Sequence, residues 1–243
     1  MESIEIPVLI VGGGGCGLCL SILCADYGVA ALAVERNQTT TDHPRAHILN
    51  QRTMEIFRQH GLADEVYRQG TPAAMMERIS FRTSLGGDGP LDRRLIGDID
   101  GYGGGALRVR YEADSACRAT NLPLMQLEPL LRGVAEARAP GSVRFHHELL
   151  RLPGIELKIH KIGRWDVEGV VARRYREGRA LLAGDAAHRH PPVSAPGLNT
   201  AFGDAHNLVW KRALVLSGKA SDAIPKPPES PRHAASRRAV AFP

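Results

Sequence analysis

The stretch Ile4-Glu5-Ile6-Pro7-Val8-Leu9-Ile10-Val11-Gly12-Gly13-Gly14-Gly15-Cys16-Gly17-Leu18 decides the fold. A short apolar run, broken near its start by Pro7, enters a glycine cluster. It leaves as Leu18-Cys19-Leu20-Ser21-Ile22-Leu23-Cys24-Ala25, a mostly apolar stretch long enough for a buried helix. The order is strand, turn, helix. Within the cluster Gly12, Gly14 and Gly17 satisfy the spacing G-x-G-x-x-G, each for its own reason. Gly12 permits the tight turn, Gly14 lets a pyrophosphate approach the backbone, and Gly17 lets helix and strand pack closely. The helix start offers N–H groups and the positive end of its dipole to the phosphates.

Glycine-rich turns can also be purely structural, so the second half of the unit matters. Gly28 ends the helix, and Ala30-Ala31-Leu32-Ala33-Val34 reads as a second buried strand finishing at Glu35, 18 residues after Gly17. An acid at that place accepts hydrogen bonds from ribose hydroxyls. The plainer alternative is an ordinary βαβ unit with a solvated Glu35. The pair Glu35-Arg36 does not by itself choose between FAD and NAD.

A chain of 243 residues can bury one substantial core, or one domain and part of a second. No run is long and apolar enough to span a bilayer, and Met1-Glu2-Ser3-Ile4-Glu5 lacks the positive start of a secretion signal. A soluble cytoplasmic protein with no membrane partner is the expectation. The net charge of +5 comes from arginines spread through the chain, and only 5% of residues are aromatic. Nucleic-acid binding wants a concentrated basic face with aromatic platforms, so none is expected. Cys16 and Cys19 have C-x-x-C spacing, but a zinc site needs a further ligand cluster. With Cys24 they read as small residues of a buried helix, and Cys117 as a lone thiol.

Further along, Asn50 is placed to cap a helix from Gln51 to about Gln59, stopped by Gly61, and a second short helix, Ala63 to Arg68, ends at Gly70. Arg45, in the polar loop between Asn37 and the cap, either pairs with a phosphate or is a solvent-exposed arginine. Ile79 to Thr83 reads as a strand, and the glycine-dense stretch from Gly86 to Gly105 as loop with one strand at most. A helix is expected over Leu127 to Arg138, with Pro129 in its first turn, followed by a third parallel strand over Val143 to His147. Arg179-Ala180-Leu181-Leu182-Ala183 reads as another short buried strand, running into Gly184-Asp185. A carboxylate at the carboxyl end of a parallel strand sits where open α/β sheets bind ligands, although Asp185 can equally be a helix cap. A last helix is expected from about Thr200 to Leu216, stopped by Gly218.

Taken together these residues resemble the FAD-dependent aromatic-ring hydroxylases, the para-hydroxybenzoate hydroxylase-like flavoprotein monooxygenases, with the phenol and chlorophenol hydroxylase branch nearest. Three blocks carry the resemblance. The first is the glycine fingerprint ending in Glu35-Arg36. The second runs from Pro44-Arg45-Ala46-His47 through Arg52-Thr53-Met54-Glu55-Ile56 to Gly61-Leu62. The third runs from Gly178-Arg179-Ala180-Leu181-Leu182-Ala183-Gly184-Asp185-Ala186-Ala187-His188 through Gly197-Leu198-Asn199-Thr200-Ala201 to Asp204-Ala205-His206-Asn207-Leu208 and Trp210-Lys211.

The resemblance implies an α/β fold: a Rossmann-like FAD-binding domain with a parallel sheet, plus a remnant of an α+β substrate domain. It implies that the glycine turn (Gly12, Gly13, Gly14, Gly15, Cys16 and Gly17) and Glu35-Arg36 hold the ADP half of FAD, with Arg45 near the phosphates. Gly184-Asp185 would meet the ribityl chain, and Gly197, Leu198 and Asn199 the isoalloxazine. The family places a flavin-contacting glutamine where Leu124 stands, leaving Gln126 as the nearest candidate. NAD(P)H would reduce the flavin, and dioxygen would supply the oxygen atom passed to a small phenol-like aromatic. The protein's part is orientation and a pocket poor in water. No side-chain nucleophile or metal is called for.

The chain also departs from that family. The second Asp-Gly fingerprint, which helps bind both FAD and the pyridine nucleotide, is missing. Val143-Arg144-Phe145-His146-His147-Glu148-Leu149-Leu150 passes almost directly to Ile155-Glu156-Leu157-Lys158-Ile159-His160, so an internal deletion is expected near Arg151 to Gly154. The expected division is an FAD-binding domain over 1–222, its cofactor part being 1–78, 107–150 and 163–218. Residues 79–106 and 155–162 are then substrate-domain remnants. Against that family the chain looks C-terminally truncated, and the stretch 223–243, with five prolines, reads as a disordered tail or as translation in a shifted frame. Loss of sheet strands predicts an unpaired strand edge and uncovered apolar faces. The alternative function is an FAD-binding remnant that no longer hydroxylates.

Overall fold

The strand, turn and helix of the opening stretch form as the sequence predicts. In the computed structural model, which describes residues 4–151, 169–190 and 196–222, strand β1 is Val8–Val11, helix α1 is Gly15–Asp26 and strand β2 is Ala31–Glu35. The two strands pair in parallel with Val8 opposite Ala31 and Val11 opposite Val34. Helix α1 buries Leu18, Cys19, Ile22 and Leu23 completely or nearly so. It ends where Gly28, at φ +67°, donates to the Ala25 carbonyl while Val29 donates to that of Cys24. This 6→1 and 5→2 pair satisfies two of the carbonyls that a helix end leaves open.

Two compact units divide the chain: residues 1–47 with 123–243, and residues 48–122. In the second unit, strand β3 (Ile48–Leu49) leads into helices α2 (Gln51–Gln59) and α3 (Ala63–Gln69). Strands β4 (Arg78–Arg82) and β5 (Leu95–Asp100), helix α4 (Arg108–Asp114) and strand β6 (Thr120–Asn121) follow. Asn50 caps α2 by accepting from the Thr53 N–H at 2.9 Å, and Gly61 and Leu62 close it with the same bond pair as at Gly28. Met54, Phe57, Leu62, Val66 and Leu122 are buried in this unit. The β4–β5 hairpin is mostly exposed, Phe81 at 51% and Ile96 at 71%. Helix α4 has no counterpart among the expected elements.

The first unit resumes with helix α5 (Leu124–Arg138) and strand β7 (Val143–Phe145). Two short hairpin pairs follow: strands β8 (Val170–Val171), β9 (Arg176–Glu177), β10 (Ala180–Leu181) and β11 (His188–Arg189), of which β8 pairs with β11 and β9 with β10. Helix α6, Pro196–Leu216, comes last and is closed at Gly218 and Lys219 by bonds to Val215 and Leu214. Strand β7 joins β2 in parallel, giving a sheet of order β1-β2-β7, and α1 packs against both α5 and α6.

That order leaves β1 at an edge. Among the described residues no strand pairs with its other side. Ile10 is buried against α1, whereas Leu9 and Val11, pointing to the opposite face, are 43% and 57% exposed. Among the described residues the expected open edge and exposed apolar face both occur on the strand that carries the glycine turn.

Three expectations need correction. Helix α5 starts one turn early, because Gln126 and Leu127 already donate to the Pro123 carbonyl. Pro129 thus falls in the second turn, where it denies a bond to the Met125 carbonyl; both residues are exposed, so water can take that carbonyl. Helix α6 also begins early, which places Gly197, Leu198 and Asn199 inside its first turn rather than before it. The third correction concerns Arg179 to Ala183. Gly178, at φ +55°, turns the chain back so that only Ala180–Leu181 of this stretch pairs as a strand, antiparallel to Arg176–Glu177. This hairpin is half-buried and outside the parallel sheet, so Asp185 does not stand at the end of a parallel strand. Arg176 and Arg212 both pair with Asp222, fastening the hairpin to the end of α6. Residues 155–162 and 223–243 lie outside the described residues.

Candidate functional site

Every site residue named from the sequence lies in the first unit, and the glycine turn is where most converge. Gly12 takes φ +117° and donates to the Val34 carbonyl at 2.8 Å, bending the chain off β1. A Cβ on Gly17 would lie 1.8 Å from the Gly12 carbonyl oxygen, so α1 and β1 approach as closely as glycine alone permits. Gly14 is the N-cap of α1 and is exposed; a Cβ there would meet only a Glu128 carboxylate oxygen, at 3.5 Å. The turn therefore has one wall closed by backbone and one open to an approaching group.

Its N–H groups are organised by two carboxylates. Gly13 donates to Glu35 Oε2 at 2.7 Å, while Glu35 Oε1 accepts from both the backbone and the side chain of Asn37, at 2.9 and 2.7 Å. A carboxylate has about four lone-pair sites, so Glu35 keeps one, on Oε2, for a further donor such as a ribose hydroxyl. Gly15 donates to Glu128 Oε1 at 3.1 Å, and Thr41 donates to Glu128 Oε2 at 2.9 Å. Helix α1 has no acidic residue in its own first turn; the carboxylate at its positive end comes from α5 instead. Glu128 is only 5% exposed, and this burial raises its pKa above the usual carboxylate range, against the lowering effect of its two N–H donors.

The Gly184-Asp185 turn closes in from the other side. Gly184 takes φ +59° and packs on Cys16, where a Cβ would lie 3.1 Å from the thiol sulfur. Its N–H donates to Asp204 Oδ2 at 3.1 Å, and the same oxygen lies 2.7 Å from His188 Nε2. Both Asp204 and His188 are buried, so α6 and the strand after the turn are tied together through one carboxylate oxygen. Asp185 itself is exposed in a 3-10 turn over Gly184–Ala186, next to the open side. Leu198, in the first turn of α6, reaches within 3.4 Å of where a Gly15 Cβ would stand. Cys16 donates to the Ala201 carbonyl at 3.5 Å, and burial pushes its thiol pKa up to about 12, with Asp204 and Asp185 adding to the rise. Cys19 is held well above the ordinary thiol value by burial, and Cys24 is pushed to about 11. All three sulfurs are protonated core residues at neutral pH.

Arg45, Arg36 and Gln126 are exposed. The Arg45 carbonyl accepts from the Leu124 N–H at 3.1 Å, so its backbone, though not its guanidinium, is fixed beside the start of α5. Two residues of the site were not among those named from the sequence, Glu128 and Asp204. The signal for Glu128 was available, since it lies beside Leu127, Leu131 and Ala135 on the buried face of α5, where a carboxylate needs buried donors.

Comparisons with known proteins give the family. The FAD binding domain family matches residues 5–154 and 150–243, together the whole of the chain from Glu5 onward. The chain belongs to the FAD binding domain family. It is 29% identical to the tetracenomycin B2 monooxygenase-dioxygenase of Streptomyces olivaceus, over 92% of this chain and 65% of the relative. It is 26% identical to the 2,4-dichlorophenol 6-monooxygenase of Delftia acidovorans, over 89% of this chain and 58% of the relative. Among solved structures, the flavin-dependent monooxygenase PieE in complex with FAD and substrate superposes with a TM-score of 0.77 at 26% identity, covering 90% of this chain and 59% of that one. The chain thus spans roughly three fifths of the proteins it matches.

Part of that difference is internal. The alignment to the Streptomyces olivaceus protein runs over 352 residues, more than the 243 of this chain, so over a hundred residues of the relative stand opposite no residue here. The two family segments meet at 150–154, the point near Arg151 to Gly154 where the sequence departs from the family pattern. Among the described residues, no helix is long and apolar enough to cross a membrane.

Proposed function

We propose that this chain binds FAD, with the ADP half on the glycine turn and Glu35, and that this site serves hydroxylation of a phenol-like aromatic with NAD(P)H and dioxygen. The observation that carries the reading is the cradle itself. Gly14 is open to solvent at the N-terminus of α1, Gly12 and Gly17 are locked behind it, and Glu35 has a lone-pair site left over. A pyrophosphate needs no Cβ in its path and the positive end of a helix, and the turn supplies both. Gly184-Asp185 and the first turn of α6 pack against the same turn, where the remainder of the cofactor would extend. Bound flavin supplies the redox chemistry with dioxygen. The chain's own groups bind, orient and shield; none donates a nucleophile.

A second reading, FAD binding without hydroxylation, is favoured by one specific observation. Among the described residues β1 is a sheet edge with Leu9 and Val11 exposed, and none of them covers that face beside the glycine turn against water. NAD(P)H oxidation by the FAD-loaded chain, followed with and without simple phenols and with product analysis, separates the two. Phenol-dependent oxidation with a hydroxylated product supports the first reading. FAD binding with no phenol-dependent turnover leaves the second.

A further inference from the structure

We infer that Glu128 is a positioning residue: one buried carboxylate clamps the loop that carries Arg45 onto the N-terminus of α1 and so sets the geometry of the ADP site. The inference rests on the proposed function, because it concerns how the same site is held. Glu128 lies 113 residues from Gly15 in sequence and 87 from Thr41, yet its two oxygens bond one N–H of each. It is thereby the side chain that joins three separate pieces of chain: α5, the first residue of α1, and the loop between β2 and residue 47.

Near its start the loop is held to the sheet side, the His146 N–H donating to the Asn37 carbonyl at 2.9 Å; further along its holds are on α5. Residues 36–39 and 42–47 are exposed, while Thr40 and Thr41 are half-buried where the clamp acts. Four residues beyond Thr41 comes Arg45, whose carbonyl is held by the Leu124 N–H on the same helix as Glu128. The loop is therefore fastened to α5 at Thr41 and at Arg45, with Asp42 and His43 paired to each other between the two. The charged groups that act on Glu128 are Glu35 at the end of β2 and Arg45 in the loop; from α1 it is faced by the Gly15 N–H. A glutamine would keep one acceptor but turn an N–H₂ toward the other N–H, so it can hold Gly15 or Thr41 and not both.

The test uses the whole chain and two readouts. Amide hydrogen exchange on the cofactor-free protein reports the clamp directly: in Glu128→Gln, protection at Thr41 or Gly15 is expected to fall while that in β2 and β7 stays. FAD titration of wild type, E128Q, Arg45→Ala and the double variant then reports its role. Each single change is expected to weaken FAD about tenfold, in the range of one hydrogen bond to a charged group. The double variant is expected to be little worse than either, because an unclamped Arg45 no longer reaches its phosphate. A general loss of stability would instead give additive effects, and additivity overturns the inference, as does an E128Q chain that binds FAD like wild type. Glu128→Asp, one methylene shorter, cannot span both donors and is expected to behave as E128Q does; full FAD affinity in E128D overturns the clamp. Failure of the wild type itself to bind FAD overturns the proposed function and this role together, which is a distinguishable result.

Discussion

Replacing Gly17 with alanine separates what the glycine turn does for the fold from what it does for a ligand. The new Cβ would sit 1.8 Å from the Gly12 carbonyl oxygen and 2.9 Å from its carbon, both backbone atoms that no side-chain rotation can move. Helix α1 must shift away from β1, and the packing of α1 on α5 and α6 must shift with it. Overpacking in a core costs about 1–3 kcal/mol, and a clash with backbone belongs at the top of that range. For a chain of this size about 3 kcal/mol lowers Tm by roughly 6–12 °C. Gly14→Ala is the matched control. Its Cβ meets only a carboxylate oxygen at an ordinary 3.5 Å, and its φ of −76° suits any residue, so the cost is about 1 kcal/mol or less, from the poorer N-cap. Thermal melts followed by far-UV circular dichroism give the stabilities, and FAD titration gives the binding. G17A is expected to lose stability first and binding as a consequence, whereas G14A loses binding with a Tm lowered by no more than about 4 °C. A G17A chain that melts with the wild type would refute the close approach of α1 to β1, and a G14A chain that binds FAD undiminished would refute the open wall as the phosphate path.

Three further outcomes follow from the same structure. Because burial raises the thiol pKa values of Cys16, Cys19 and Cys24, stability is full below pH 9, where both states are protonated, and falls as pH rises because the unfolded thiols ionise first. Cys24 alone contributes about 1.4 kcal/mol per pH unit between its ordinary value and about 11, so urea midpoints should drop steeply above pH 9 and less steeply in Cys24→Ala. Asp204→Ala leaves the Gly184 N–H and the buried His188 without their shared acceptor; a loss of about 2–4 kcal/mol in urea unfolding is expected, and a neutral result would contradict the tie between α6 and the Gly184 turn. Leu9→Thr with Val11→Thr, on the uncovered face of an edge strand, is expected to reduce self-association in light scattering without lowering Tm; a fall of more than a few degrees would show that this face is covered after all.

What was legible in the sequence was whatever a local pattern encodes. The three glycines at 28, 61 and 218 each stop a helix with the same pair of bonds, and Asn50 caps α2 through its side chain, because such signals act within a few residues. The glycine turn was legible for the same reason. Helix starts were less so: α5 and α6 both open on proline-containing segments, Pro123 and Pro196, which permit a first turn before the apolar periodicity begins. The stretch Arg179 to Ala183 has the composition of a buried parallel strand but lacks a neighbour to join, and a positive φ at Gly178 sends it into a hairpin. Sheet membership depends on the rest of the chain, and here more than a hundred residues present in a relative are absent. Asp204 was hidden for a related reason, its partners lying 16 and 20 residues away; Glu128 showed itself only as a carboxylate on a buried helix face, its partners being 87 and 113 residues away.

The glycine turn, Glu35 and the Gly184 turn are expected to assemble an FAD site even in a chain about three fifths as long as its relatives. Titration of FAD with the purified chain, following quenching of flavin fluorescence beside Gly14→Glu, tests it most directly. Saturable quenching by the wild type, lost in G14E because the new side chain fills the open side at Gly14, is the expected result. No quenching by a folded wild-type chain, or equal quenching by both proteins, would contradict it.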